Sequence, residues 1–429
     1  MRPEDFADTK HAAIFSAIAK METAGQHADA VLLHDHFAAL EGLDAVGGAD
    51  YLARLAASFA PVVALPDYAH TVADRALRRR LVQAGESLVD EAHTVTLEGT
   101  AVDILAAHVA GCQELGGHGG RRPPVTIATA ADEAMAATER AAKGEETFIP
   151  FGLAKVDKAL GGASAQDLII IAARPGVGKS TLGINFALNM AASGYRVGWW
   201  NLEMSNRGSA RFALARLSGI PVERQKSGEV RGEDFGRLMD ARDTLRDWPL
   251  FLMDTPGLTV ADIEAEARNL RCEVAFVDHL RLIRGPYRGF EFRGETERVG
   301  AISSALKEMA KRLNIPVVCL AQLSRAVEGR DEKRPNLSDL RQSGQIEEDA
   351  DAVCFVYRDS YYLQTTPRHL RDDKWATLWE EHKNKADLIV AKRRDGEPRT
   401  VELYADMAAA YFADEAPAEP QVVVQRDMF

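Results

Sequence analysis

Residues 168–190, LIIIAARPGVGKSTLGINFALNM, decide the fold class. The apolar run from Leu168 to Ala173 suits a buried strand, and the stretch after Lys179 suits a helix. Between them lies a glycine-rich turn. Gly176 and Gly178 let backbone N–H groups curl round phosphate oxygens, and the helix N-terminus adds a favourable dipole. Lys179 is placed to reach the β- and γ-phosphates, and the Ser180 hydroxyl to ligate Mg²⁺. The predicted cradle is therefore Ala173, Arg174, Pro175, Gly176, Val177, Gly178, Lys179, Ser180 and Thr181. Ala173 stands where the usual pattern has its first glycine. ATP and Mg²⁺ are the expected cofactors.

Working outward, short apolar runs alternate with amphipathic stretches from Thr147 onward. The runs LIIIAA, YRVGWWNLE, EVAFVD, IPVVCLAQ and AVCFVYRD read as strands, and SSALKEMAKRL, with Leu306, Met309, Ala310 and Leu313 on one face, as a helix. That order predicts an α/β domain with a mostly parallel sheet covered by helices. Asp278 ends the strand VAFVD, and after a phosphate loop such a carboxylate suits the magnesium shell. Glu203 follows the second strand, where a carboxylate either orients the attacking water or simply sits at a helix N-terminus. Gln322 ends VVCLAQ; its amide either senses the γ-phosphate or caps a surface turn.

The chain has 429 residues, 46% hydrophobic and 27% charged, which is globular composition with room for two or three domains. No apolar run is long enough to span a membrane, and the start MRPEDFADTKHAAIF lacks a signal-peptide core, so a cytoplasmic protein is expected. The four cysteines are scattered, which argues against a zinc cluster or a disulfide framework, and Cys319 and Cys354 fall inside apolar runs. A net charge of −12 argues against a generally basic, nucleic-acid-coating surface, though not against a local basic channel.

Four parts are expected. Residues 1–112 read as a small all-α domain, 113–143 as a hinge (GGHGGRRPP) with a lone Ala-rich linker helix, 144–412 as the α/β motor, and 413–429 as a disordered, acidic, Pro-rich tail. The lone helix has little bulky apolar surface of its own and should dock on something.

Taken in order, AARPGVGKST, NLEMS, FVDHL, LKEMAKRLNIPVVCLAQLSR, RPNLSDLRQSGQIEEDAD and VAKRRDGEP resemble the motor of the replicative DNA helicase family DnaB over roughly residues 144–412. LDAVGGADYLARLAASFAP is similar to that family's helical N-terminal domain, although the helices that usually precede the PEDF-like stretch are missing, which bears on the collar that domain builds. The resemblance implies a RecA-like phosphate-loop NTPase domain and a homo-hexameric ring. It implies translocation 5′ to 3′ on single-stranded DNA, with primase and a helicase loader as partners and the lone helix docked on a neighbouring motor. It carries DNA contact onto Arg341, Gln342 and Gly344, a cation, an amide and a backbone N–H that suit phosphate oxygens. Gln342 stands where Glu is usual. His279 replaces the common Tyr after Asp278, and Arg281 a Gln. A second loop, RLIRGPYRGFEFRGETER, faces the same pore or is merely solvated.

At VAKRRDGEP the apolar strand runs into three cations, and the chain turns at Asp395 and Gly396 to return along Thr400–Leu403. Edge strands carry cations for solubility. Strand alternation puts Lys392 and Arg394 on one face and Arg393 on the other, and the resemblance makes Arg394 an arginine finger for the next subunit's ATP, with Lys392 behind it. The last residues, Gln425 to Phe429, resemble the pentapeptide by which bacterial replication proteins bind the sliding clamp, or are a chance pattern in a tail. A RecA- or RadA-type recombination ATPase would share Lys179, Glu203 and Asp278 but lack the helical domain and the SDLRQSG loop. A non-unwinding interaction module would not need the four intact residues Lys179, Ser180, Glu203 and Asp278.

Overall fold

A computed structural model describes residues 2–417 apart from 24–27, 40–42, 59–64, 95–99, 102, 106, 109–110, 113–124, 144–147, 290–291, 331, 341–343, 368, 370 and 395. The glycine-rich hinge, Arg341, Gln342 and the clamp-like tail lie outside the described residues. The chain divides into two units, residues 1–126 and 127–429.

The first unit is helical, as its 3.6-residue periodicity predicts. Helices Thr9–Thr23, Ala30–Ala39 and Ala49–Ala57 close on Ile14, Ala17, Leu33, Phe37, Val46 and Leu52, with Ile18 and Met21 packed at the margin. Gly47 turns the chain at φ +95°, and a Cβ there would come within 2.9 Å of the Tyr51 ring. The long helix Leu65–His93 is tied to the chain start by Arg80, 2.6 Å from Asp5, and by Arg79, which donates to the Asp5 carbonyl.

The second unit opens with the lone helix, Ile127–Ala142, which exposes Ile127 and Met135. It then builds one nine-stranded sheet. The strands are β1 (Leu168–Ala173), β2 (Val197–Asn201), β3 (Leu250–Met253), β4 (Val274–Asp278), β5 (Val317–Gln322), β6 (Ala352–Tyr357), β7 (Lys385–Arg393), β8 (Arg399–Asp406) and β9 (Tyr411–Ala413), in the order β3-β2-β4-β5-β1-β6-β7-β8-β9. All pairings from β3 to β6 are parallel, and β7, β8 and β9 follow antiparallel. The expected parallel sheet is there. β3 and β9 were not read from the sequence: four and three residues are too short to show a period.

Side chains on β1 alternate between two cores. Ile169 and Ile171 pack with Leu182, Phe186 and Met190 of the helix Lys179–Ala192. Leu168 and Ile170 pack with Ile302, Leu306 and Met309 of the helix Glu295–Leu313, and with Ile263 of Val260–Asn269. Cys319 and Cys354 are unpaired and fully buried in these layers. In a parallel sheet of this kind, ligands bind beyond the carboxyl ends of the strands, and that end carries the phosphate loop.

Candidate nucleotide-binding and hydrolysis site

β1 ends at Ala173, and the helix begins at Lys179 after the loop Arg174–Gly178. Gly178 has φ +119°, and a Cβ on it would stand 3.0 Å from Met407. An L side chain there would be strained and would press on Met407, so glycine is what lets the backbone take this turn. Ala173 is fully buried in the sheet and pairs with Gln322 on β5. Arg174 does not face the cradle with its charge: its guanidinium is buried, bonds Glu328 at 2.6 Å and donates to the Leu323 carbonyl at 2.8 Å. It braces the loop after β5 against the phosphate loop. Thr181 is buried beneath Ser180, which is half-buried at the helix start.

Lys179 and Asp278 meet at 2.6 Å, with 10% and 2% of their side chains exposed. β4 brings Asp278 there, in register with Asn201 on β2 and Leu320 on β5. The Asp278 carbonyl accepts from Leu202 at 2.7 Å and Glu203 at 3.3 Å, which pins the backbone of Glu203 to the end of β4. The Glu203 side chain stays half exposed. Lys179, Asp278, Glu203 and Gln322 thus gather at one end of the sheet, as their positions in the sequence predict.

His279, which sequence reasoning left without an account, belongs to the same cluster. It is 5% exposed, and its Nδ1 lies 3.5 Å from Glu203 Oε2 without a hydrogen-bond partner. Burial, reinforced by the Lys179 charge, pushes its pKa down to about 4, so the ring is neutral at neutral pH. Its position directly after Asp278 was the one signal in the sequence.

The basic hairpin lies elsewhere. β7 runs antiparallel to β6, so Lys392 and Arg393 sit level with Val353 and Ala352, beside Ile169 at the start of β1. Arg394 donates its backbone N–H to the Asp351 carbonyl at 2.8 Å and its side chain to Asp351 Oδ1 at 3.0 Å. Asp351 in turn accepts from Leu168 N at 2.8 Å and pairs with Lys307. Lys392 donates to the carbonyls of Glu347 and Ala350, the last turn of the helix Gly344–Asp349. Arg393 points the other way, donating to the Ala159 carbonyl at 3.0 Å. The predicted alternation holds. Between Leu168 and Ala173 the strand rises about 16 Å, so Lys392 and Arg394 stand at the opposite end of the sheet from their own phosphate loop. Gly344, the described member of the DNA-contact set, opens the helix that Lys392 caps. In the second basic loop, Arg298 is bound to Glu295 and to the carbonyls of Arg281 and Ile283, a local brace and not a free cation for a pore.

A parallel sheet with a glycine cradle, Lys179 and Asp278 at its carboxyl end defines a phosphate-loop ATPase motor of the RecA-like class. The comparisons with known proteins narrow that class. The DnaB-like helicase C-terminal domain matches residues 149–414, and the DnaB-like helicase N-terminal domain matches residues 1–74. The chain is 35% identical to the replicative DNA helicase DnaB of Rickettsia conorii, over 96% of this chain and 87% of the relative. It is 34% identical to that of Geobacillus stearothermophilus, over 94% and 86%. Among solved structures, a DnaB-like replicative helicase described with its interactions with primase aligns at TM-score 0.66 and 27% identity, covering 96% of this chain and 94% of that one. The solved ATPase domain of a second protein aligns at TM-score 0.59 and 28% identity, over 68% of this chain and all of that one. The chain belongs to the DnaB-like helicase family and is an ATP-dependent replicative DNA helicase of it. Membership of that family sets aside the recombination ATPase reading. No helix among the described residues is long and apolar enough to cross a membrane.

Proposed function

We propose that the chain works in the cytoplasm as a homo-hexameric ring that encloses single-stranded DNA, moves 5′ to 3′ along it and unwinds the duplex ahead at a replication fork. The observation that carries this reading is the separation of Lys392 and Arg394 from their own phosphate loop by the length of a strand. A motor whose finger cannot reach its own nucleotide needs a neighbour, and a closed ring gives every copy one.

Within each site Lys179 takes up charge on the β- and γ-phosphates, and Glu203 orients the attacking water. Arg394 of the adjacent copy, backed by its Lys392, stabilises charge as the γ-phosphoryl transfers, with Gln322 sensing that phosphate. Ser180 and Asp278 are hard oxygen donors and fit Mg²⁺, which would neutralise phosphate charge when bound. Arg341, Gln342 and Gly344 would grip the DNA backbone without reading sequence. Gly344 opens the helix whose end Lys392 caps, which supports a direct link between DNA contact and the finger.

Primase and a loader are proposed partners. So is the sliding clamp, through Gln425–Phe429; a peptide of the last ten or so residues should bind the clamp and lose binding on Phe429→Ala.

The test of the main reading is strand displacement on a forked duplex with one 5′ tail. Unwinding with ATP and Mg²⁺ is expected, and Lys179→Ala should abolish both hydrolysis and unwinding. ATPase activity without unwinding would favour a non-unwinding module.

A further inference from the structure

Glu203, Asp278 and His279 each offer a ligand atom, and these atoms lie within 4.8 Å of one another. Two are carboxylates that the hydrolysis of ATP already explains. The imidazole is not explained by it. Mg²⁺ takes oxygen ligands and holds its waters tightly, so a nitrogen donor adds little to a magnesium site. Yet His279 Nδ1 is buried without a hydrogen-bond partner and is aimed at the Glu203 carboxylate. A buried polar atom left unsatisfied is unusual and calls for a ligand or a role. One nitrogen and two carboxylates, with a fourth position open to water, is the donor set of a borderline divalent ion such as Zn²⁺ or Co²⁺.

The arrangement can close on such an ion. Glu203 is half exposed, so its side chain is free to swing by the small distance required. Its backbone is fixed to Asp278, so the swing does not take the carboxylate out of reach. Asp278 gives Oδ1 to Lys179, and a carboxylate has a second oxygen for a metal. Lys179 and the ion would compete for Asp278, and bound nucleotide would draw Lys179 to the phosphates.

We propose that Glu203, Asp278 and His279 form a transition-metal site in the nucleotide-free motor, distinct in its donor set from the magnesium position. An ion held there occupies the carboxylate that orients water, so it would act as an inhibitor of turnover. That consequence rests on the proposed role of Glu203; the binding itself does not.

The experiment is a Co²⁺ titration of the nucleotide-free full-length protein, followed by the visible d–d absorption. The expected result is a band saturating at one ion per chain and bleached by added Zn²⁺. His279→Leu, which is close in volume and carries no ligand atom, and Glu203→Gln, at a half-exposed position that tolerates change, should each weaken Co²⁺ by at least about tenfold. A wild-type spectrum of hydrated Co²⁺ alone would overturn the proposal. So would an unchanged band and affinity in Glu203→Gln, which means that the ion sits on other histidines. Because no nucleotide is present, failure here is separate from any failure of the ATPase reading.

Discussion

The two ends of the central sheet differ in how complete they are. At the carboxyl end one chain assembles Lys179, Asp278, Glu203, Gln322 and the glycine cradle from neighbouring strands. At the other end Lys392 caps the helix Gly344–Asp349 and Arg394 pairs with Asp351, far from any phosphate loop of their own. The first end gathers within one chain the groups proposed to bind nucleotide; the second holds the cations proposed to serve another copy's nucleotide. On the proposed role of Arg394 the hydrolytic site is divided between the two ends of the fold, and assembly and catalysis become one event.

Substitutions at the two ends should therefore fail differently. Arg394→Ala should lower kcat by about 10³-fold or more while a fluorescent ATP analogue binds nearly as before. A loss in KM alone would break the comparison. Glu203→Gln, at the complete end, should lower kcat by about 10²–10⁴-fold without altering assembly, read by single-turnover hydrolysis beside a sizing column. Asp351→Ala takes the ion-pair partner from the buried Lys307, leaving it the Gln166 carbonyl, and frees the Arg394 side chain. It should lower stability by about 3–5 kcal/mol in denaturant unfolding, and slow turnover less than Arg394→Ala does. Arg393→Ala removes a bond to the Ala159 carbonyl on the far face. Turnover should change by less than about tenfold, because that face holds no proposed catalytic group. Equal losses from Arg393→Ala and Arg394→Ala would reverse the assignment of faces.

The same contrast explains what was legible in the sequence. The complete end was readable because its residues stand at strand ends, next to local patterns: Lys179 and Ser180 behind two glycines, Asp278 after an apolar run, Glu203 after WWNL. Alternation along a strand was enough to separate Arg393 from its two neighbours. The partners of Lys392 and Arg394 were not readable, since Asp351 and the Gly344–Asp349 helix come together with β7 only when β6 and β7 pair. Arg174 looked like a phosphate ligand by position, but a partner 154 residues away, Glu328, takes its side chain. His279 had no reading until its burial and its distance from Glu203 were known. The short strands β3 and β9 carry too few residues for a period to show.

The central claim is that each active site is shared between two copies. It is tested most directly by mixing two inactive proteins, Lys179→Ala and Arg394→Ala, under conditions that let the rings exchange subunits, and measuring ATP hydrolysis. A ring in which Arg394 from one variant faces the intact phosphate loop of the other holds complete sites. The account predicts hydrolysis above the sum of the two parents, rising with the extent of exchange. A mixture as inactive as its parents, despite demonstrated exchange, would contradict it.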